Sequence, residues 1–334
     1  MEHSLNRGVS VIICTYNGKE RLSQTLNHLV SQKTSIPCEI IFVDNASTDG
    51  SKEFADAWWK NNGTSKITFH SFIQPILGKS YAQELGYEKA QYKYMLVCDD
   101  DNWLSDVYVE TAFNIMEQNP NIGALGGWCE AVFENEKPEW FDVYAKYFAV
   151  SKQGNKAGDI TQNKGCLYGA GMVLCKSHWL QLKSLEFEHL LSCRKGNNLS
   201  SGGDTEYSFA LRLLGYSIWY DDRLYFKHFM PDNRLNLKYV SRLRKAMSYS
   251  NFVLWPYRDL LNGKTRKKSH FYKQAFKDLK TFGINRFWLL FTGDYEEKEM
   301  AKLCFRNLYF LFFSFSEYKK NLIFISNWYS ISKS

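Results

Sequence analysis

The sequence predicts an α/β fold in which helices flank a mostly parallel central sheet. Two observations predict it. Short apolar runs, typical of strands buried on both faces, alternate with stretches in which apolar residues recur at helical spacing. Each of these runs ends in polar residues or glycine, and polar strand ends of this kind mark the edge at which parallel sheets bind ligands.

The first two strands and helices are predicted in the N-terminal 60 residues. Residues 9–13 form a β-branched run that an Asn-Gly pair brings to an end, and apolar residues then recur at helical spacing over 22–30. A second apolar run, 39–43, stops at a loop rich in Asp, Asn, Ser and Thr, and a helix is expected from Ser51. This order is typical of a parallel sheet with crossover helices.

A weaker strand, residues 67–73, leads to a Gly-Lys-Ser turn that opens an amphipathic helix. A P-loop would need a glycine where Ile73 stands, so this turn is not a P-loop. Lys79 in the turn has two interpretations. It contacts a phosphate group of a ligand, or it is a solvated surface lysine.

Three consecutive carboxylates, Asp99, Asp100 and Asp101, follow the apolar strand that begins at Met95. Adjacent acids at a strand end repel one another and lose solvation, so an unpaired cluster there is destabilising. A divalent cation would compensate, and Mg²⁺ and Mn²⁺ prefer such oxygen ligands. The alternative interpretation is an acidic turn in contact with solvent.

The second half of the predicted sheet is less regular. A glycine-rich apolar strand starts after Asn121, and the segment 121–170 shows no clear pattern beyond it. Small residues around Gly169 and Gly171 would let a bulky ligand approach the backbone closely. The alternative is a plain turn into a short strand.

A helix is predicted over residues 204–214, ended by Gly215 in a left-handed conformation and followed by a strand. Asp204 lies at its start, where a capping carboxylate is favoured by the helix dipole, and the same explanation covers Glu206 in the first turn. His228 follows the strand, and a lone histidine is more often structural than a ligand.

The charge is distributed unevenly along the chain. Residues 1–230 carry 22 Lys and Arg against 27 Asp and Glu, a net charge of −5, whereas residues 231–334 carry 20 against 8, a net charge of +12. The second region also holds 23 of the 55 aromatic residues. A basic, aromatic region of this kind favours an anionic partner, either nucleic acid or an anionic membrane surface. Alternatively its helices pack on the rest of the protein and its basic side chains are merely solvated.

The composition excludes several classes of protein. Hydrophobic residues make up 45% and charged residues 23% of the chain, which describes a globular protein. No apolar run is long enough to span a membrane, and no signal-peptide core precedes the first strand. The eight cysteines form no CxxC pair, so reduced thiols and a cytoplasmic location are expected.

Four motifs taken together resemble family 2 glycosyltransferases. They are VSVIICTYNG, FVDNASTDGS, VCDDDNW, and GGDTEY followed by LRLLGY and a histidine, and they lie within residues 8–230 in the order and approximate spacing of the family. The resemblance is to the bacterial surface-polysaccharide type, and it implies a GT-A fold and inversion at the anomeric carbon. It also implies a catalytic domain over 1–230, with a nucleotide-sugar half at about 8–120 and an acceptor half at about 121–230. Residues 231–334 then form a helical extension.

The resemblance implies a role for each matching residue. The donor nucleotide is expected to contact Thr15, Tyr16, Asn17, Asp44, Asn45, Lys79, Asp99 and Asp100, with Asp44 near the base. The metal, Mn²⁺ or Mg²⁺, is expected on Asp99, Asp101 and His228. The acceptor is expected to lie against Gly169, Gly171 and Glu206.

Asp204 falls on the position of the catalytic base in this family. The usual Glu-Asp pair is Gly203-Asp204 here, so the aspartate is kept and the glutamate is missing. Where the family commonly has Arg-Asn in the helix after the Gly-Lys-Ser turn, this chain has Gln83-Glu84. That departure removes an expected contact to the diphosphate.

The expected chemistry fits these residue types. A nucleotide sugar leaves as a diphosphate, and a divalent cation on its oxygens lowers the barrier. The acceptor hydroxyl loses a proton as it attacks, which calls for one carboxylate. The expected function is metal-dependent, inverting transfer from a nucleotide-diphosphate sugar, first of all a UDP-sugar, to a hydroxyl of a glycan or lipid-linked acceptor. No nucleic-acid partner is expected, and the basic extension is expected to attach to the inner face of the cell membrane.

Two other classes compete with this interpretation. A nucleotidyltransferase can use a similar sheet and acidic site, but it would carry a Gly-rich, basic triphosphate loop for which CTYNGKE is a poor substitute. A non-catalytic scaffold could use the basic, aromatic region to bind membrane or nucleic acid. The three acids together with Asp204 argue against a scaffold.

Overall fold

A computed structural model describes residues 5–191, 202–280 and 284–333, and in these residues nine strands form one mixed sheet. The strands are β1 (Asn6–Thr15), β2 (Cys38–Asp44), β3 (Ile67–Ile73), β4 (Tyr92–Asp99), β5 (Asn102–Leu104), β6 (Ile122–Phe133), β7 (Gly158–Asp159), β8 (Val173–Cys175) and β9 (Ser217–Met230). Their order across the sheet is β3-β2-β1-β4-β8-β6-β9-β5, and β7 pairs with β9.

Helices surround this sheet and continue beyond it. The helices of the first part of the chain are α1 (Lys19–Val30), α2 (Ser51–Asn62), α3 (Lys79–Lys89), α4 (Tyr108–Gln118), α5 (Phe141–Tyr144), α6 (Lys176–Ser184) and α7 (Gly203–Leu213). Those of the C-terminal extension are α8 (Leu237–Val253), α9 (Trp255–Leu261), α10 (Lys268–Asp278), α11 (Ile284–Thr292), α12 (Tyr295–Phe313) and α13 (Phe315–Ile331). The expected α/β fold with a C-terminal helical region is confirmed.

The N-terminal half of the sheet is parallel, as the sequence predicts. β1 pairs in parallel with β2 and β4, and β2 pairs in parallel with β3. In this register Thr15 lies opposite Asp44, and Cys14 lies opposite Asp99. The polar strand ends therefore meet at one edge of the sheet, because parallel strands present their carboxyl ends on the same side.

Beyond β4 the sheet is mixed. β8 runs antiparallel to both β4 and β6, β6 and β9 are parallel, and β5 and β7 are antiparallel to β9. Neither β5 nor α6 was predicted from the sequence. A three-residue strand such as β5 is too short to show a period, and α6 follows β8 without a loop.

The two faces of β1 divide the core into two layers. Val11 and Ile13 point into one apolar cluster with Leu26 of α1, whereas Ile12 points into the cluster on the opposite face. α3 packs closely on that second face, since a Cβ on Gly86 would lie 2.5 Å from Ile12 Cγ2. Helices therefore cover both faces of the parallel strands, which explains their continuous apolar sequence.

Part of the C-terminal extension packs directly on the sheet-bearing region. The ring of Trp328 in α13 meets that of Phe187 edge-on at a centroid distance of 5.5 Å, and both side chains are buried. Tyr257 of α9 is fully buried and contacts the ring of Phe209 in α7. These contacts join α9 and α13 to the core that supports α7.

Two findings concern the membrane spans and the cysteines that were considered from the composition. Among the described residues, no helix combines the length and the apolar character that crossing a membrane requires. The cysteines that the structure describes are free thiols, and Cys193 lies outside the described residues.

We expect Trp328→Ala to lower the free energy of unfolding by about 3–5 kcal/mol, because the substitution empties a buried aromatic site. Trp288→Ala is a matched control, since Trp288 is mostly exposed, and it should change stability by no more than about 0.5 kcal/mol. Urea denaturation of the full chain measures both. Equal stability of the two variants would mean that α13 does not pack on the sheet-bearing region.

Candidate active site

A cavity of about 800 Å³ lies at the carboxyl ends of β1 and β4. Thr15 and Asp99, the last residues of these strands, line one part of it, and Asp204 at the start of α7 lines another. A further wall comes from α8 and from the 3₁₀ turn at Ala145–Phe148. The cavity is thus built by both halves of the sheet and by the C-terminal extension.

Asp100 is held by the N-terminal part of the chain. Its carboxylate accepts hydrogen bonds from the Thr15 hydroxyl at 2.6 Å and from the Arg21 guanidinium at 2.8 Å. A Cβ on Gly18 would lie 2.2 Å from Asp100 Oδ2, so only glycine lets α1 begin this close to the acid. Burial raises the pKa of Asp100 and outweighs the opposing charge of Arg21. This carboxylate is therefore occupied by the protein's own side chains.

Asp101 is held from the other end of the sheet. Its Oδ2 accepts a hydrogen bond from Arg234 at 2.9 Å, and its Oδ1 lies 3.4 Å from His228 Nε2. The β5–β9 ladder creates this contact, because it pairs Asn102 with His228. Burial alone would raise the pKa of Asp101, but the His228 and Arg234 charges and the hydrogen bond from His228 hold it well below its usual range. Asp101 therefore stays ionised inside the cavity wall.

Asp99 has the third basic partner of the acidic cluster. Lys79 Nζ at the start of α3 lies 2.5 Å from Asp99 Oδ1, and both residues line the cavity. Lys79 is thus close enough to act on an anionic ligand at this place, as one of the two sequence interpretations requires. Each of the three consecutive acids has a cation from a different segment of the chain.

The residues at this end of the cavity fit a divalent cation in type. In the described part of the chain no three His, Cys, Asp or Glu side chains converge on one ready-made metal position. Mg²⁺, however, usually takes only one or two carboxylates from the protein and completes its coordination with waters and substrate phosphates. Asp99 and Asp101 offer those carboxylates beside the cavity, and His228 Nδ1 is a buried nitrogen without a hydrogen-bond partner.

The residues predicted to contact the nucleotide fall into two groups. Thr15, Tyr16 and Asn45 line the cavity together with the acids and Lys79. Asn45 also fixes the loop before α3, because its Oδ1 accepts from Gly78 N at 2.8 Å and its Nδ2 donates to Ile76 O at 2.7 Å. It thereby orders the segment that carries Lys79.

Asn17 and Asp44, by contrast, are not among the cavity-lining residues. Asn17 Oδ1 accepts from Thr48 N at 2.8 Å, and Asp44 Oδ1 accepts from Ser47 N at 2.9 Å. Both side chains brace the loop that follows β2. Asp44 Oδ2, in contrast to Oδ1, is buried without a hydrogen-bond partner. The nucleotide contact expected for these two residues stays a prediction.

Asp204 lies where α7 meets the loop before β8. Its Oδ2 accepts the backbone N–H of Gly169 at 2.7 Å, and its Oδ1 accepts from Thr205 N at 2.9 Å. Both Asp204 and Gly169 line the cavity. A Cβ on Gly169 would lie 3.2 Å from the Cβ of Asp204, so the glycine allows the close approach that fixes the carboxylate. Its orientation is therefore set by the backbone before any ligand binds.

Two of the residues expected to border the acceptor do not reach the cavity. Glu206 is fully buried, and its carboxylate accepts the backbone N–H groups of Leu190 at 2.9 Å and Leu191 at 3.2 Å. Gly171 adopts a left-handed conformation in which a Cβ would lie 2.5 Å from the Tyr108 hydroxyl. Glu206 and Gly171 thus have structural roles in the described fold, and the acceptor contact expected for them stays a prediction. Helical periodicity alone does not tell which face of α7 meets the cavity.

Sequence reasoning missed the two arginines of the acidic cluster. Arg21 and Arg234 pair with acids 79 and 133 positions away, and nothing local marks either residue. Their only signal is chemical, since three adjacent buried acids require compensating cations. The wall that α8 supplies, with Arg242 and Leu243 among its residues, was missed for the same reason.

Comparison with known proteins agrees with this fold. A family model, glycosyl transferase family 2, matches residues 10–176, which is half of the chain. The chain belongs to this family.

Two relatives and one solved structure illustrate the likeness. The cholesterol galactosyltransferase of Borreliella burgdorferi is 34% identical over 106 residues, which cover 32% of this chain and 28% of that protein. The poly-beta-1,6-N-acetyl-D-glucosamine synthase of Staphylococcus epidermidis is 26% identical over 126 residues, 38% of this chain and 29% of that protein. This chain therefore matches less than a third of the length of these relatives. TarS 1–349 of S. aureus, solved in complex with UDP-GlcNAc, has the same fold with a TM-score of 0.51 and 14% identity, covering 98% of this chain and 91% of that one.

We expect Glu206→Ala to destabilise the fold by about 1–3 kcal/mol, because it leaves one buried and one partly buried backbone N–H group without an acceptor. Glu188→Ala is the control, since Glu188 is exposed on the same loop, and it should be nearly neutral. Urea denaturation measures both. A Glu206→Ala protein of unchanged stability that binds acceptor poorly would support the acceptor role.

Proposed function

We propose that the protein transfers a sugar from a nucleotide-diphosphate donor to a hydroxyl group of a glycan or lipid-linked acceptor, with inversion at the anomeric carbon. The observation that carries the proposal is one cavity lined both by the acidic strand end at residues 99–101 and by a separately held carboxylate, Asp204. A metal at the donor diphosphate and a base for the acceptor hydroxyl require carboxylates at separate places, and this cavity provides both. Membership of glycosyl transferase family 2 favours this reaction over nucleotidyl transfer and over a non-catalytic scaffold.

The donor diphosphate is assigned to the end of the cavity at β1 and β4. Lys79 supplies a cation there, and Thr15 and Asn45 supply polar groups around it. A diphosphate carries two or more negative charges, so a lysine beside the strand end lowers the cost of binding it. A protein with the same fold was solved with UDP-GlcNAc, which makes UDP-sugars the first donors to test.

Asp204 is assigned as the general base. An inverting transfer needs one carboxylate, which accepts the proton of the attacking hydroxyl while the diphosphate leaves from the opposite face of the sugar. The backbone N–H of Gly169 holds this carboxylate, and Asp204 lines the cavity. No second carboxylate acting as a nucleophile is needed, which is why inversion is proposed.

Metal dependence is part of the proposal, with Mn²⁺ or Mg²⁺ held by Asp99 and Asp101 and with His228 beside them. Such an ion, when bound, neutralises charge on the leaving diphosphate. The protein's own contribution is to keep Asp101 ionised and to hold its orientation through His228 and Arg234. Arg234 and Lys79 remain next to the bound diphosphate as additional positive charges.

The acceptor is assigned to the part of the cavity between Asp204, the 3₁₀ turn at Ala145–Phe148 and α8. Tyr147, Phe148, Leu243 and Met247 give this part apolar and aromatic side chains. Such a wall suits the face of a sugar ring or the lipid portion of an acceptor. The named activities of the two relatives, on a sterol and on a polysaccharide, support testing both kinds of acceptor.

We expect Asp204→Asn to keep donor binding and to lose about two to four orders of magnitude in kcat for transfer, because an amide cannot take the acceptor proton. Asp222→Asn is the control, since Asp222 is exposed and does not line the cavity. Thermal shift with UDP-sugars measures binding, and release of UDP in the presence of acceptor measures transfer. Normal transfer by Asp204→Asn would show that another group is the base.

We expect Asp101→Asn to weaken Mn²⁺ binding in the presence of UDP by about tenfold or more, because the ion loses an ionised oxygen ligand. Asp56→Asn on α2 is the matched control and should bind Mn²⁺ like the parent chain. The EPR signal of free Mn²⁺ measures binding without reference to activity. Equal Mn²⁺ affinity of the two variants, together with transfer that survives EDTA, would contradict metal dependence.

A further inference from the structure

Helices α10, α11 and α12 expose a group of aromatic side chains that the cavity does not use. We call the following residues the aromatic patch: Phe276, Phe287, Trp288, Phe291, Tyr309 and Phe313. Each is 48–70% exposed. They differ in this from the aromatic residues of α9 and α13, such as Tyr257 and Trp328, which are buried. The extension therefore contains one group of helices that packs on the core and another that presents aromatic rings to the outside.

The aromatic patch is continuous across its three helices. Phe305, Tyr309 and Phe313 are spaced by four residues and so share one face of α12. The ring of Phe287 on α11 lies 6.3 Å from that of Phe305 between centroids. The ring of Phe276 on α10 contacts α12 at 5.6 Å. Isolated exposed aromatic residues are ordinary on a soluble protein, but a linked group of six marks an interaction surface.

Basic residues adjoin the aromatic patch along the chain. Residues 264–280 contain seven Lys and Arg and a single acidic residue, Asp278. Lys267, Lys273 and Lys280 are exposed, and Lys273 and Lys280 flank Phe276 on and just after α10. Aromatic rings next to lysines suit the boundary between lipid headgroups and acyl chains, where the rings enter the boundary and the lysines face anionic headgroups.

The uneven charge of the chain favours an anionic partner for the aromatic patch. The extension has a net charge of +12, whereas residues 1–230 have a net charge of −5, so an anionic surface is attracted to the extension and repelled by the rest of the protein. A protein partner of ordinary composition would not need this separation of charge.

We propose that the aromatic patch and the lysines of residues 264–280 bind the surface of a bilayer containing anionic lipids. This inference does not rest on the proposed transfer reaction, since it concerns a surface that contributes nothing to the lining of the cavity. An inactive enzyme would not contradict the proposal of lipid binding, and a failure of lipid binding would not contradict the proposed active site.

The test uses the full chain and vesicles of phosphatidylcholine with or without phosphatidylglycerol, with flotation as the measurement. We expect the parent chain to float with vesicles that contain phosphatidylglycerol. The double substitution Trp288→Ser and Phe291→Ser should require about tenfold more lipid for half-maximal binding, because it removes two rings from the boundary. Val143→Ser on α5 is the matched control, since Val143 is an equally exposed apolar residue outside the patch, and it should bind as the parent does.

A second pair of substitutions tests the electrostatic part. Lys273→Gln with Lys280→Gln should weaken binding to anionic vesicles severalfold, and high salt should do the same to the parent chain. Binding to vesicles of phosphatidylcholine alone should be weak for every variant. Thermal unfolding of each variant verifies its fold, and full stability is expected because the substituted side chains are exposed.

Three outcomes would overturn the proposal. One is a parent chain that does not float with anionic vesicles. Another is unaltered flotation of the Trp288→Ser and Phe291→Ser protein. The third is a parent chain that forms a dimer in solution which these substitutions dissociate, because the aromatic patch would then be covered by a second copy of the chain. Light scattering coupled to size-exclusion chromatography detects that dimer.

Discussion

Three consecutive carboxylates at residues 99–101 lie in the wall of the cavity, and each needs a positive charge near it. The chain supplies these charges from three separate places: Lys79 at the start of α3, Arg21 in α1, and Arg234 after β9, with His228 beside it. A buried acid without a partner costs several kcal/mol, so each of these segments has to reach its place before the strand end is stable. The acidic cluster thus links the first helix of the chain to the segment that leads into the C-terminal extension. An anionic ligand at this place would enter an arrangement of charges that is already balanced.

The parts of the fold that could be predicted are those with a local signal. The parallel strands and their crossover helices follow from apolar runs and helical spacing, and the clustering of Thr15, Asn45 and Asp99 follows from the rule that parallel strands end on one side. The pairing of Arg234 with Asp101 has no such signal, because it depends on how β9 and β5 lie together. β5 itself is too short for a period to appear.

The orientations of site side chains that the sequence does not predict have the same physical origin. A carboxylate in the first turn of a helix has an ordinary capping role, and sequence does not say whether it points into a cavity or into the core. Asp204 and Glu206 are two residues apart in α7, so their side chains leave the helix about 200° apart. One meets Gly169 at the cavity, whereas the other is buried against the backbone at Leu190. The sequence does not distinguish these two orientations, and only the packing of α7 does.

The C-terminal extension takes part in the same cavity as the strand ends. α8 lines it, while Tyr257 of α9 and Trp328 of α13 are buried against the region that carries α7. The helix that bears Asp204 is therefore held between the sheet on one side and the extension on the other. Because apolar side chains in such a core leave few voids, a displacement of α9 would also displace α7. The position of the Asp204 carboxylate therefore depends on both regions being folded together.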